Sequence, residues 1–207
     1  MMKIDILPLG SYQTNCYIVR DEASATCAVI DPGFEPERIL ARLSQLGLTP
    51  DAILLTHGHF DHVGAVEDLI NAAGCALWIS QKDHTQPNTA IHDYLYPLHD
   101  KASPVASFCK EGDQIVSGGL TFTVLETPGH TQGSICYLCG DAMFCGDTLF
   151  AGACGRTDLP GGDRVVMANT LDQLSRSEED FRLFPGHGEH STLRHEQQTN
   201  PYLGGWL

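Results

Sequence analysis

Four side chains able to ligate a metal fall within six residues, in His57-Gly58-His59-Phe60-Asp61-His62. Neutral imidazoles and carboxylates suit zinc, iron or manganese. Alternate residues of a short loop can point the same way, so His57 and His59 can meet one ion. Asp61 and His62 are displaced along the loop and can reach a second. Two later segments echo each other: Leu125-Glu-Thr-Pro-Gly-His130 and Arg182-Leu-Phe-Pro-Gly-His187 each run a strand-like stretch into Pro-Gly-His. Pro and Gly end a strand abruptly, so each His is presented at a carboxyl end. His130 would complete the first site and His187 the second. Asp147, which follows a strand-like run as Gly146-Asp147, has two oxygens and can bridge both. Two metals about 3.5–4 Å apart can clamp the attacking and leaving atoms of a hydrolysis.

A lone histidine is usually a surface or core residue with satisfied hydrogen bonds, but this clustering is hard to reconcile with that role. A structural zinc site is closed, thiolate-rich and four-coordinate. Seven nitrogen and oxygen donors instead leave positions for water and substrate.

The elements that must position these residues are readable from periodicity. Ile4–Leu9, Asn15–Arg20 and Thr26–Ile30 read as strands, the last closed by Asp31-Pro32-Gly33. Glu35–Leu46 carries Ile39, Leu40, Leu43 and Leu46 at helical spacing before Gly47. Ala52–Leu55 is a short buried strand leading into the histidine loop, Val63–Ala73 an amphipathic helix, and Leu77–Ser80 another strand. Residues 81–112 are irregular, a pattern common to substrate loops and to plain connections. Gln114–Ser117, Leu120–Glu126, Ser134–Leu138 and Ala142–Cys145 then read as hairpin strands. Arg164–Leu174 reads as a helix, Phe181–Phe184 as a strand and Thr192–Gln198 as a short helix. With no linker or low-complexity stretch, the expectation is a single domain over residues 1–207.

Composition narrows the partners. With 12 Lys and Arg against 26 Asp and Glu, the net charge of −14 repels phosphate backbones and anionic membranes. A small molecule is the expected partner, with no nucleic acid and no membrane. Bound metals would neutralise Asp61 and Asp147, so an anionic small molecule remains admissible at the site itself. Asp5 interrupts the place where a secretory signal needs its apolar stretch, and a cytoplasmic location is expected. The eight cysteines are read as buried free thiols. The Cys136-Tyr-Leu-Cys139 spacing lies in a strand-like run, where positions three apart face opposite ways.

The pattern Thr-His57-x-His59-x-Asp61-His62, followed by His130, Asp147 and His187, resembles the metallo-β-lactamase superfamily. The early Val29-Ile30-Asp31-Pro32-Gly33 turn and the late Phe184-Pro185-Gly186-His187-Gly188 extend the resemblance over nearly the whole chain. It implies an α/β fold, the αβ/βα sandwich of two mixed sheets face to face with helices outside and metals at one edge. Gly146-Asp147-Thr148-Leu149-Phe150 and Cys154-Gly155-Arg156-Thr157-Asp158 are similar to glyoxalase II, the hydroxyacylglutathione hydrolases, and especially to their short single-domain relatives. That likeness implies His57, His59 and His130 on one divalent ion, and Asp61, His62 and His187 on another. Asp147 would bridge, with zinc as the first expectation and iron or manganese as alternatives.

The implied activity is hydrolysis of an acyl-thiol such as lactoylglutathione, with Asp61 and Asp147 as the catalytic carboxylates. Asp31 is a candidate for orienting a metal-bound His or, equally, for closing a turn. The family's Lys and Tyr after Cys-Gly are replaced here by Arg156 and Asp158, so Arg156 either meets a substrate carboxylate or pairs with Asp158. A mononuclear-iron persulfide dioxygenase shares the histidine motif, and a non-catalytic metal-binding module is the alternative of a different class. The zinc lactamases commonly place Cys where Asp147 stands.

Overall fold

The computed structural model describes residues 1–84 and 106–204. In chain order the strands are β1 (Met2–Leu9), β2 (Thr14–Asp21), β3 (Thr26–Ile30), β4 (Thr49–Leu54), β5 (Ala76–Ser80) and β6 (Ala106–Cys109), then β7 (Gln114–Ser117), β8 (Leu120–Glu126), β9 (Ile135–Cys139) and β10 (Ala142–Gly146). They are followed by β11 (Leu149–Phe150), β12 (Ala153–Cys154), β13 (Arg182–Pro185) and β14 (Ser191–Thr192). The helices are α1 (Pro36–Leu46), α2 (Phe60–Val63), α3 (Val66–Ala73), α4 (Gln81–His84), α5 (Arg164–Ser175) and α6 (Leu193–Thr199).

One sheet has the order β1-β2-β3-β4-β5-β6, the other β14-β13-β10-β9-β8-β7, and β11-β12 forms a separate hairpin. Both large sheets are mixed. In the first, β1–β2–β3 are antiparallel and β3–β4–β5–β6 parallel. In the second, β10 and β13 are parallel while the remaining pairs are antiparallel.

Strand alternation builds the layers. On β2, Ile18 packs with Ile39 and Leu43 of α1 and Leu69 of α3 on the outer face of the first sheet. Its neighbour Tyr17 turns inward with Ile30 and Leu54 to meet Phe122, Phe144 and Phe184 of the second sheet. Behind the second sheet, Cys136 and Met143 pack on Met167 and Leu171 of α5 and on Leu193 and Leu203. This helix–sheet–sheet–helix order is the expected αβ/βα sandwich. Cys136 faces the helices and Cys139 the space between the sheets, so the pair is split across β9. All eight cysteines are free, seven buried and Cys154 half-buried. Leu203, past α6, is buried in the outer layer.

Two expectations need adjusting. The helix read over Val63–Ala73 is two pieces, α2 and α3, because the Ala65 N–H donates to the Pro32 carbonyl at 2.9 Å rather than continuing a helical ladder. Within 81–112, α4 and β6 are regular, and residues 85–105, including His92 and His99, lie outside the described residues. No helix among the described residues is long and apolar enough to cross a membrane.

Candidate metal centre

Four strands end at one edge of the sandwich, each followed by a ligand-type residue. β4 leads into the His57–His62 loop, β8 into His130, β10 into Asp147 and β13 into His187. The seven residues singled out in the sequence all converge. His57, His59 and His130 bring ligand atoms within 4.8 Å of one another, as do Asp61, His62 and His187, and as do His57, His62 and Asp147. The last group links the first two.

Cross-sheet hydrogen bonds fix this edge. The Ile135 N–H donates to the Thr56 carbonyl at 2.9 Å, and the Tyr137 hydroxyl donates to the Leu55 carbonyl at 3.0 Å. From β2, Asn15 Nδ2 and the Tyr17 hydroxyl both donate to the Pro185 carbonyl, at 3.1 and 2.5 Å. The first sheet thereby holds the turn that carries His187. Gly155 and Gly186 let backbone lie directly against Asp147. A Cβ on Gly186 would fall 2.3 Å from Asp147 Oδ1, and one on Gly155 1.8 Å from the Asp147 carbonyl oxygen.

Oxygen partners set the histidine tautomers. Nδ1 of His57 meets Thr56 Oγ1 at 3.0 Å, and that hydroxyl in turn donates to Asp31 Oδ2 at 2.7 Å. Nδ1 of His62 donates to Asp31 Oδ2 at 3.0 Å, that of His130 to the Arg156 carbonyl at 2.7 Å, and that of His187 to the Tyr12 carbonyl at 3.1 Å. Each of these four rings therefore turns Nε2, not Nδ1, toward the centre, the orienting arrangement seen around metal-bound imidazoles. His59 presents Nδ1 instead, 3.0 Å from His57 Nε2 and 2.8 Å from His130 Nε2. Of the two roles open to Asp31, the structure shows the histidine-orienting one. Its backbone is left-handed at φ 49°, a conformation Asp tolerates better than most residues.

The electrostatics divide the cluster. Burial, reinforced by the neighbouring imidazoles, pushes His57 well below the usual histidine range and His59 down to about 3. Burial opposes charge on His62 too, yet Asp147, Asp31 and Asp61 lift it to about 9. Against its own burial, Asp61 is held below the usual carboxylate range by His187 and His62.

Two buried polar atoms lack a hydrogen-bond partner at this point, His62 Nε2 and Asp147 Oδ1. They lie 3.5 Å apart, too far for a good hydrogen bond, and leaving such groups unmatched costs about 1–3 kcal/mol each. Converging lone pairs with orphaned atoms between them fit a divalent cation.

His59, Asp61, His130, Asp147 and His187 form the floor of a cleft of about 580 Å³, walled by Tyr12, Phe60, Phe150, Cys154, Arg156 and Leu159, with His57 and His62 buried beneath. Tyr12 and Phe60 meet edge to face, centroids 5.3 Å apart. Arg156 makes a two-point ion pair with Asp158, Nε to Oδ1 at 2.7 Å and Nη2 to Oδ2 at 2.8 Å, on an exposed surface. It thus pairs with Asp158 while also lining the cleft.

The β11–β12 wall is stapled from α6, which the sequence reading missed. Glu196 Oε2 accepts from the Gly152 N–H at 2.8 Å, and Asn200 Nδ2 donates to the carbonyls of Phe150 and Ala153 at 3.2 and 3.0 Å. An acid and an amide one helical turn apart, at i and i+4, were the only local signal. Asp83, on α4, was missed as well.

Residues 9–187 match the Metallo-beta-lactamase superfamily. The chain belongs to that superfamily. Within the superfamily it is 37% identical to hydroxyacylglutathione hydrolase GloC of Haemophilus influenzae, the alignment covering 98% of each chain. Among solved structures it resembles the BLEG-1 B3 metallo-beta-lactamase, with a TM-score of 0.84 and 32% identity over 99% of this chain and 100% of that one. It also resembles TTHA1623 in a di-iron-bound form, with a TM-score of 0.80 and 36% identity over 96% of this chain and 99% of that one. Superfamily membership and the His/Asp cluster together identify a divalent-metal centre.

Proposed function

We propose that this chain is a binuclear metal-dependent hydrolase of acyl thioesters of the lactoylglutathione class. His57, His59 and His130 would hold one ion, Asp61, His62 and His187 the other, and Asp147 would bridge, with zinc favoured over iron or manganese. The observation that carries this reading is seven converging nitrogen- and oxygen-donor residues, five of which line the floor of an aromatic-walled cleft. The likeness to a hydroxyacylglutathione hydrolase over almost the full chain supports the thioester as substrate.

Bound divalent cations supply Lewis acidity that polarises a carbonyl and brings the pKa of water down toward neutrality. The chain's own residues do the rest. Asp147 spans the two halves, its Oδ2 3.6 Å from both His130 Nε2 and His187 Nε2, and its Oδ1 3.5 Å from His62 Nε2. Asp61 is kept ionised by His187, whose Nε2 lies 3.3 Å from its Oδ2, and Thr14 donates to the same oxygen at 3.2 Å. A carboxylate so held accepts a hydrogen bond from the attacking water and orients it, while its lowered pKa leaves the water's proton to pass on to the departing thiolate. The water oxygen bonds the carbonyl carbon, the carbon–sulfur bond breaks, and the thiolate leaves to take up a proton. Tyr12, Phe60 and Phe150 shield the reacting bond from bulk water.

Elemental analysis of the purified protein, run beside lactoylglutathione hydrolysis, tests the reading. Two metals per chain and thioester turnover are expected. Oxygen uptake with glutathione persulfide on a single iron would replace it with a dioxygenase. Hydrolysis of a chromogenic cephalosporin without thioester turnover would make it a lactamase. Stoichiometric metal with no turnover of any substrate would leave a binding module.

A further inference from the structure

Asp83 stands one layer behind the histidines. It lies on α4, just past the carboxyl end of β5, the parallel neighbour of β4. Its side chain is buried, with 4% exposure. Oδ2 accepts from the Gly58 N–H at 2.9 Å and from Thr131 Oγ1 at 2.8 Å, while Oδ1 accepts from the Gly133 N–H at 2.7 Å. Gly58 sits between His57 and His59, and Thr131 and Gly133 follow His130 directly. One carboxylate therefore ties together the two loops, from opposite sheets, that carry the three histidines of the first triad. Gly133 makes room for it, since a Cβ there would fall 2.4 Å from Asp83 Oδ1. No Lys or Arg ion pair reaches Asp83 among the described residues; burial pushes its carboxyl up, and the hydrogen bonds from Thr131, Gly58 and Gly133 oppose that.

We propose that Asp83 is a positioning residue for the tri-histidine half of the metal centre. It sets the separation of His59 and His130 by tying the backbones of their two loops to one buried carboxylate. This rests on the reading of the cluster as a metal centre.

The test is Co²⁺ titration of the metal-free protein, read by affinity and by the visible spectrum of the bound ion, on wild type, Asp83→Asn, Thr131→Val and Asp51→Asn. Asparagine keeps one acceptor oxygen but turns an NH₂ toward an N–H donor, so the clamp opens on one side. Valine removes a single leg of the clamp and covers the case in which the asparagine variant does not fold. Asp51, which accepts from Ser117 Oγ and the Gly118 N–H near the start of β4, is a comparable clamp at the opposite end of that strand. Asp83→Asn is expected to weaken Co²⁺ binding about 10- to 100-fold with an altered spectrum, as loss of an orienting partner does elsewhere. Thr131→Val should weaken it less, and Asp51→Asn should leave both readouts unchanged. Wild-type affinity and spectrum in Asp83→Asn and Thr131→Val overturn the clamp, as does an equal loss in Asp51→Asn. A wild-type protein that takes up no divalent metal overturns the metal-centre reading and the clamp with it.

Discussion

The two triads share one floor and are built on opposite electrostatics. His57, His59 and His130 are buried imidazoles that share Asp147 and have only the loop-bound Asp83 behind them, and burial keeps His57 and His59 neutral. Asp61, His62 and His187 sit among the carboxylates Asp31, Asp61 and Asp147, which draw a proton onto His62 and raise His187 against its burial. The first triad therefore keeps a site open to a cation by excluding the proton, whereas the second attracts any cation, the proton included. Ligand identity alone would not reveal this contrast, since histidines dominate both sets.

Asp147→Asn should have the largest effect, because it removes charge from both triads at once. More than about 100-fold is expected in kcat/KM, beyond the range of an outer partner, with metal content falling in parallel. Full thioesterase activity with unchanged metal would break the comparison at its root. Asp31→Asn is next. Asn tolerates the left-handed backbone there, so the change removes the charge that faces His62 directly and His57 only through Thr56. About 10- to 100-fold weaker metal binding is expected at the second triad by calorimetry, with a smaller loss at the first, and equal loss at both would erase the distinction.

The pH dependence should then separate the triads. His62, raised to about 9 in the metal-free chain, is protonated below that pH, and a metal must displace its proton. Affinity at the second triad should climb about tenfold per unit as pH rises from about 6 to about 9. The first should respond less steeply, with His59 neutral above about 3. Parallel slopes would count against the contrast. Glu196→Gln should do least: by loosening the β11–β12 wall it should raise KM a few-fold at near-constant kcat, well under the roughly 100-fold cost of misplacing reacting groups. A kcat loss without a KM change would show that α6 reaches the chemistry.

The convergence of these seven side chains was legible because chemistry compressed them. His57 to His62 share one loop, and the Pro-Gly-His echoes mark where strands stop. The sheet strands followed from runs of β-branched and aromatic residues, and α1 from its apolar spacing. The residues that position the ligands were not legible, because their partners are remote in sequence. Asp83 reaches residues 58, 131 and 133, and neither it nor Glu196 breaks any local periodicity. The division of α2 from α3 was hidden for the same reason, since the apolar spacing runs on and the deciding bond goes to Pro32. The two-residue strands β11 and β12 are too short to carry a period.

Gly155 and Gly186, pressed against Asp147, carry a consequence for how such a molecule diverges. The floor is packed against bare backbone, so even one added methyl group there collides with Asp147. The rim has no such restriction, being made of side chains on separate loops and a hairpin. Mutation can therefore trade one substrate for another at Tyr12, Phe150 or Leu159 while the hydrolytic floor is inherited intact.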